Sequence, residues 1–139
     1  MRIELHLTTQ RIGPDRAVPK ELAGAVGAVA EFSGIVRARE GEETITALEY
    51  EAYPAMARAV MRRILEELSR AHPCLLVRVT HRLGVIPVGE TALRVVVLAG
   101  HRGEAFAMLS EFMDRLKQDV PIWKRRALGS GLPPTRPQP

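Results

Sequence analysis

A histidine–arginine pair between two glycines is the first feature of this 139-residue chain that could support chemistry. His101 and Arg102 lie between Gly100 and Gly103, directly before a stretch with helical periodicity. Because a helix N-terminus carries partial positive charge, cations are disfavoured there, and an anionic ligand would resolve the conflict. The glycines would let backbone N–H groups approach such an anion closely. The alternative is that both side chains point into water, as most basic residues do.

Two lysines, Lys117 and Lys124, flank the predicted end of the helix that follows this pair. Residues 104–118 carry apolar side chains at spacings of three and four, which predicts an amphipathic helix with one face packed on a sheet. Pro121 cannot continue a helix, so this one should end near Asp119. Either lysine could equally be a solvated surface cation. The predicted apolar stripe consists of Ala105, Met108, Leu109, Phe112 and Leu116.

The composition, 46% hydrophobic and 26% charged, is ordinary for a globular domain. A net charge of +4 allows nucleic acid, a phosphorylated metabolite or an acidic protein as partner. No apolar run approaches the roughly twenty residues of a membrane span, and residues 1–10 lack the pattern of a signal peptide, so we expect a cytoplasmic protein without a membrane partner. Cys74 is the single cysteine, which excludes an internal disulfide, and its apolar neighbours predict a buried, dispensable residue. We predict neither a metal nor a cofactor.

Hydrophobic periodicity predicts five strands and two helices. The charged residues 38–43 should form the turn of a hairpin that pairs residues 25–37 with residues 44–51. Glycines and prolines predict a turn-rich connection over residues 82–90. The strands are expected at residues 2–7, 25–37, 44–51, 75–81 and 91–99, and the helices at residues 54–70 and 104–118.

Proline and glycine also define the ends of the predicted elements. Pro54 suits the first position of a helix, because its fixed φ is helical and its missing N–H is not needed there. Residues 129–139 are rich in proline and glycine and are predicted to be disordered, which leaves residues 1–128 as a single domain. The buried stripe of the first helix is predicted to be Met56, Val60, Ile64 and Leu68.

Five segments resemble the large, catalytic subunit of molybdopterin synthase, in that family's order and spacing. The resemblance covers nearly all of residues 1–128. It implies an α+β fold of the α/β-hammerhead type, with a largely antiparallel sheet and two main helices. The segments are GAVAEFSGIVR (27–37), LEYEAYPAMA (48–57), HRLGVIPVGE (81–90), AGHRGEAF (99–106) and MDRLKQDVPIWKRR (113–126).

The resemblance implies an enzyme of molybdenum cofactor biosynthesis that converts cyclic pyranopterin monophosphate into molybdopterin. The sulfur for the dithiolene would come from the C-terminal Gly-Gly thiocarboxylate of a small ubiquitin-like subunit. The large subunit would form a homodimer that binds one small subunit at each end, giving a heterotetramer. The chain departs from the family in having Ala99 and Gly100 before the histidine, where serine or threonine is usual, and in lacking a tryptophan–valine strand in its tail.

Carried over to this sequence, the family's functional residues form a cationic site. Both reactants are anions, so fixed cations are needed to bring them together. A lysine near other cations loses its proton more readily, so Lys117 could act by proton transfer or by electrostatic stabilisation. We assign no function to His6, His72, His81, Arg125 or Arg126, and expect Trp123 to anchor the core. The resemblance places the catalytic lysines at Lys117 and Lys124 and the substrate-binding residues at Arg37, His101, Arg102, Phe32 and Met113.

Two other functions stay open: a basic nucleic-acid-binding module, and an enzyme acting on another phosphorylated metabolite. The first is disfavoured because three Phe, two Tyr and one Trp provide few surfaces for base stacking. Tight, salt-sensitive binding of nucleic acid without any complex with a Gly-Gly protein would support it. The second is tested by asking which ligand raises the melting temperature.

Overall fold

A four-stranded sheet with two helices on one face forms the centre of the fold in the computed structural model, which describes residues 1–15 and 17–129. Within these residues lie nine strands, two α-helices and a short 3₁₀ turn at Lys20–Leu22. The strands are β1 (Arg2–Thr8), β2 (Ala28–Ile35), β3 (Arg39–Glu40), β4 (Glu43–Thr44), β5 (Ala47–Ala52), β6 (Leu76–Arg82), β7 (Gly84–Pro87), β8 (Thr91–Ala99) and β9 (Ile122–Leu128), and the helices are α1 (Pro54–Ala71) and α2 (Arg102–Asp119).

The central sheet has the strand order β1-β6-β8-β2, in which only β1 and β6 run parallel. A second sheet has the order β7-β5-β9 and is antiparallel throughout, and β3 and β4 form a small hairpin of their own. The predicted α+β fold, with largely antiparallel sheet and two main helices, is therefore confirmed. Among the described helices none is long and apolar enough to cross a membrane.

Both helices bury one face against the central sheet, and α2 does so with the predicted stripe. Ala105, Met108, Phe112 and Leu116 are buried and Leu109 is partly buried. The helix ends at Asp119, as the position of Pro121 predicted. This end places Lys117 in the last turn, close to the start of β9.

The start of α1 at Pro54 is confirmed, but the predicted stripe of this helix is partly wrong. Met56 is 58% exposed and Val60 is only partly buried, whereas Met61 and Leu65 are fully buried. The helix carries two overlapping apolar stripes, because residues 57, 61, 64, 65 and 68 also repeat at three and four. Packing against α2 and the sheet decides which of the two stripes is buried. The local spacing of apolar residues cannot decide this.

The predicted hairpin between residues 25–37 and 44–51 is wrong. β2 pairs with β8, with Phe32 opposite Val95, and β5 pairs with β7 and β9. Alternation tells which face of a strand is buried but does not tell which strand lies beside it. β8 is apolar except for Thr91 and Arg94 and is largely buried on both faces inside the sheet, so it takes β2 as a neighbour.

Four of the nine described strands were absent from the sequence-based prediction. Two of them, β3 and β4, form a hairpin where a turn over residues 38–43 was expected. Residues 84–87, expected to be turn, form β7, and residues 122–128, expected to begin with a turn, form β9. Both pair with β5, so a long-range partner turns short, weakly patterned segments into strands. The predicted disorder of residues 129–139 concerns a segment of which only Gly129 is among the described residues.

Gly27 lies against the backbone of Gly100, next to the histidine–arginine pair. A Cβ on Gly27 would overlap the carbonyl oxygen of Gly100, and backbone cannot move aside as a flexible side chain can. We therefore expect Gly27→Ala to lower the free energy of unfolding by roughly 2 kcal/mol or more. Gly103→Ala is the control, because its Cβ would meet nothing within 4 Å and alanine favours the first turn of α2. Urea denaturation compares the two variants, and equal stabilities would contradict the prediction.

Candidate functional site

A cleft of about 680 Å³ opens where the C-terminal ends of α2 and β2 meet the sheet β7-β5-β9. Its wall combines apolar side chains such as Ile35, Leu93 and Ile122 with several charged ones. The fold thus brings together residues from distant parts of the chain. Five of the residues selected from the sequence line this cleft, namely Phe32, Arg37, Met113, Lys117 and Lys124.

The two lysines enter the cleft from different elements. Lys117 lies in the last turn of α2 and is exposed, while its neighbour Leu116 is buried and holds the helix in place. Lys124 lies on β9 directly opposite Tyr50 of β5. Because Lys117 is held by a helix end and Lys124 by a strand, the two ammonium groups can contact an anion in the cleft from two sides.

A carboxylate already contacts one of these lysines. Glu40, carried by the β3–β4 hairpin, lies 3.0 Å from the Nζ atom of Lys124. The side chains of the pair are 39% and 34% exposed, so the pair stabilises the fold by at most about 1 kcal/mol. The described cleft residues include four fixed cations, Arg37, Arg39, Lys117 and Lys124, against Glu40 alone. An anionic ligand can therefore take the position of the Glu40 carboxylate.

The back of the cleft contains a histidine and a tyrosine that the sequence analysis did not select. His81 is buried, and desolvation lowers its pKa, so the ring is neutral at pH 7. Its Nδ1 lies 2.8 Å from the carbonyl oxygen of Arg82, an arrangement in which Nδ1–H donates the hydrogen bond. The ring of Tyr50 meets His81 edge-on at 5.2 Å.

Strand alternation in the sequence could have identified both residues as inward-facing. His81 falls on the same face of β6 as the buried Val77 and Val79, and Tyr50 falls on the same face of β5 as the buried Leu48. An inward polar side chain at the end of an apolar face is a candidate for a cleft wall.

An ion pair between a buried glutamate and a partly exposed arginine joins β9 to β5 beside the cleft. Glu49 is 7% exposed and accepts hydrogen bonds from Nε and Nη2 of Arg126, each at 3.1 Å. Arg126 is therefore a structural partner of Glu49, and such two-point pairing holds geometry better than a single contact. The pair holds in register the strand that carries Lys124.

His101 and Arg102 lie at the other end of α2 from Lys117. His101 precedes the helix in an extended conformation without a side-chain capping bond, Arg102 is the first helical residue, and both are exposed. About 22 Å of helix axis separates Arg102 from Lys117, at about 1.5 Å per residue. Neither His101 nor Arg102 lines the cleft, so a single chain does not bring this pair together with the lysines.

Cys74 lies away from the cleft and is buried, as the sequence predicted. Burial raises its pKa to about 11, so the thiol is protonated at pH 7. Its Sγ lies 3.6 Å from the carbonyl oxygen of Glu104. Among the described residues no group of three or more His, Cys, Asp or Glu side chains could hold a metal ion.

The fold and the cleft define a small α+β domain whose described cleft residues carry four cationic side chains against one carboxylate. A sequence model of the family described as MoaE protein matches residues 7–119, and the chain belongs to this family. The chain is 42% identical over 124 residues to the probable molybdopterin synthase of Haloferax volcanii, covering 88% of this chain and 47% of that protein. It is 31% identical over 121 residues to the human molybdopterin synthase catalytic subunit, covering 87% and 64%.

The fold agrees with a solved structure as well. Molybdopterin synthase from Staphylococcus aureus superimposes with a TM-score of 0.81 at 26% identity and covers 96% of both chains. The chain spans roughly half to two thirds of the length of these two curated relatives, 47% and 64%.

Proposed function

We propose that this protein is the catalytic subunit of a molybdopterin synthase. It transfers sulfur from the C-terminal thiocarboxylate of a small ubiquitin-like partner to cyclic pyranopterin monophosphate, forming the dithiolene of molybdopterin. The supporting observation is the cleft in which Lys117 and Lys124 converge on one space, in a chain of the MoaE family. We place the protein in the cytoplasm, with residues 1–128 as one catalytic domain.

The charges of the cleft suit this reaction. Once the thiocarboxylate sulfur is bonded to the substrate, water adds to the acyl carbon, the C–S bond breaks with the sulfur left on the substrate, and the partner is released with an ordinary carboxylate. A fixed cation stabilises the tetrahedral oxyanion formed on the way. We assign that task to Lys117, with Lys124 as the second catalytic lysine. Arg37 suits the substrate phosphate because a guanidinium matches phosphate geometry. Phe32 and Met113 provide apolar surface for the substrate ring.

The edge of β2 supports a homodimer. Among the described residues β2 pairs only with β8, so its other edge is open. Three of its apolar side chains are exposed: Val29 by 46%, Phe32 by 36% and Ile35 by 55%. An open apolar edge strand is a template for pairing, and a two-fold axis is the commonest symmetry of dimers. We propose that two copies associate along β2.

Such a dimer would complete the cationic site. The start of β2 lies against the residues before His101, since the N–H of Gly27 donates to the carbonyl of Ala99 at 2.9 Å, while the far end of β2 leads to Arg37 in the cleft. Two-fold pairing runs the strands antiparallel, so the start of one β2 lies beside the far end of the other. His101 and Arg102 of one copy would then face the cleft of the second.

Reconstitution tests this function. The purified chain is mixed with cyclic pyranopterin monophosphate and a thiocarboxylated ubiquitin-like protein, and molybdopterin is measured. We expect product with the thiocarboxylate and none with the same partner ending in an ordinary carboxylate. Light scattering should show a homodimer and, with the partner, a heterotetramer. A persistent monomer would refute the assembly, and salt-sensitive nucleic-acid binding without product would refute the activity.

Cys74 should be dispensable for sulfur transfer. The thiol is buried, protonated and outside the cleft, and the sulfur comes from the partner. We expect Cys74→Ala to form molybdopterin within about twofold of the wild-type rate, with a modest loss of stability from the lost packing. If the variant folded normally yet formed no product, the partner would not be the sole sulfur donor.

A further inference from the structure

Tyr50 lines the cleft, and although it lies in the motif LEYEAYPAMA, the resemblance assigns it no role. It lies on β5 directly across from Lys124 of β9, and cross-strand neighbours on one face have Cβ atoms about 5 Å apart. Glu40 and Lys124 line the same cleft as Tyr50 and form an ion pair of 3.0 Å there. The phenol therefore lies beside the position that an anionic ligand would take.

The hydroxyl of Tyr50 is free to bind a ligand. Within the described residues no backbone or side-chain group forms a hydrogen bond with it. Its ring is held from behind by the edge-on contact with His81 at 5.2 Å. Burial raises the pKa of the phenol, so it keeps its proton at pH 7 and can donate. The Tyr50 hydroxyl is not among the buried polar atoms that lack a partner, so it is open to the cleft, where a ligand oxygen can reach it.

A packing role alone does not account for this residue. Phenylalanine would make the same edge contact with His81 and the same apolar contact with the cleft, without exposing an unpaired hydroxyl among charges. A neutral donor next to a lysine also differs from a further cation, because it binds one oxygen with direction and adds no charge.

We propose that Tyr50 is a further ligand-binding residue of the cleft, whose hydroxyl donates a hydrogen bond to an anionic oxygen held by Lys124. That oxygen belongs either to the phosphate of the pterin substrate or to the C-terminal carboxyl group of the partner. The assignment of these two ligands rests on the proposed function. The hydrogen bond itself rests on the geometry of Tyr50, Lys124 and Glu40.

The experiment compares Tyr50→Phe with Tyr53→Phe in the full chain. Tyr53 is a suitable control because it is 62% exposed, does not line the cleft and contacts Trp123 with a tilted ring at 5.0 Å. Removing its hydroxyl should therefore leave ligand binding in the cleft unchanged. Both variants should melt within a few degrees of wild type without ligand. Calorimetry then gives the Kd for cyclic pyranopterin monophosphate and for the partner with and without its last two glycines.

We expect Tyr50→Phe to weaken binding of one of these ligands by roughly tenfold or more and Tyr53→Phe by less than about twofold. Weaker binding of the pterin alone would identify the phosphate, and weaker binding of the intact partner alone would identify its carboxyl group. Wild-type affinity of Tyr50→Phe for both would overturn the inference.

A third probe separates this inference from the proposed function. Inorganic phosphate, compared with chloride at equal ionic strength, should raise the melting temperature of wild type more than that of Tyr50→Phe. If wild type formed no molybdopterin but showed this difference, the hydrogen bond would stand and the proposed function would fall. If phosphate stabilised both proteins equally, the phosphate would be excluded as the source of the oxygen, and the inference would fall unless Tyr50→Phe also bound the intact partner at least about tenfold more weakly.

Discussion

Lys117→Ala is expected to reduce single-turnover formation of molybdopterin by at least about 100-fold, the usual cost of removing a group that stabilises charge in a transition state. Its effect on stability should be small, within about 0.5 kcal/mol, because Lys117 is exposed and makes no ion pair among the described contacts. The neighbouring Leu116 holds the helix end without it. The loss should therefore appear in rate and not in folding.

Substrate titration with excess thiocarboxylated partner distinguishes catalysis from binding. The rate of Lys117→Ala should stay low at saturating substrate, whereas Arg37→Ala and Arg102→Ala should recover as substrate increases. Lys20→Ala is the matched control, since Lys20 lies in the 3₁₀ turn and outside the cleft. If saturating substrate restored Lys117→Ala to the wild-type rate, Lys117 would be a binding residue. The catalytic role would then move to Lys124.

Local patterns explain which parts of the fold could be predicted. β1, β8 and α2 were correct because alternation, a continuous apolar run and a repeat of three and four are each properties of the segment itself. β7 and β9 were missed because a distant strand, β5, stabilises them. The hairpin of residues 25–37 with 44–51 was wrong for the same reason, since the choice of neighbour depends on the whole sheet.

The candidate site shows the same limit. Lys117 and Lys124 are close in sequence, so a helix end followed by a strand brings them together. Glu40, Tyr50 and His81 come from three other elements, and only the folded chain shows that they share the cleft. Arg102 is the reverse case. It is close to Lys117 in sequence, but the length of α2 separates the two residues in the fold.

A mixed dimer provides the strongest test of a shared site. Suppose that Arg102 of one copy completes the cleft that contains Lys117 of the other. A heterodimer of a Lys117→Ala chain with an Arg102→Ala chain then has one cleft with both residues intact and one with neither. We expect about half of the wild-type rate at limiting substrate, because one of the two symmetric sites is complete. Each homodimer should be far less active.

The matched control uses the same two substitutions in one chain, paired with a wild-type chain. With a shared site, each cleft of this dimer carries one defect, so its rate should stay low. With a site formed inside one chain, the result would be reversed: this dimer would keep about half of the activity and the first mixed dimer would lose it. Two different affinity tags allow each mixed dimer to be isolated before the rate is measured. The mixed dimer that retains activity therefore shows whether two copies, paired along β2, form a shared site or whether each chain forms its own.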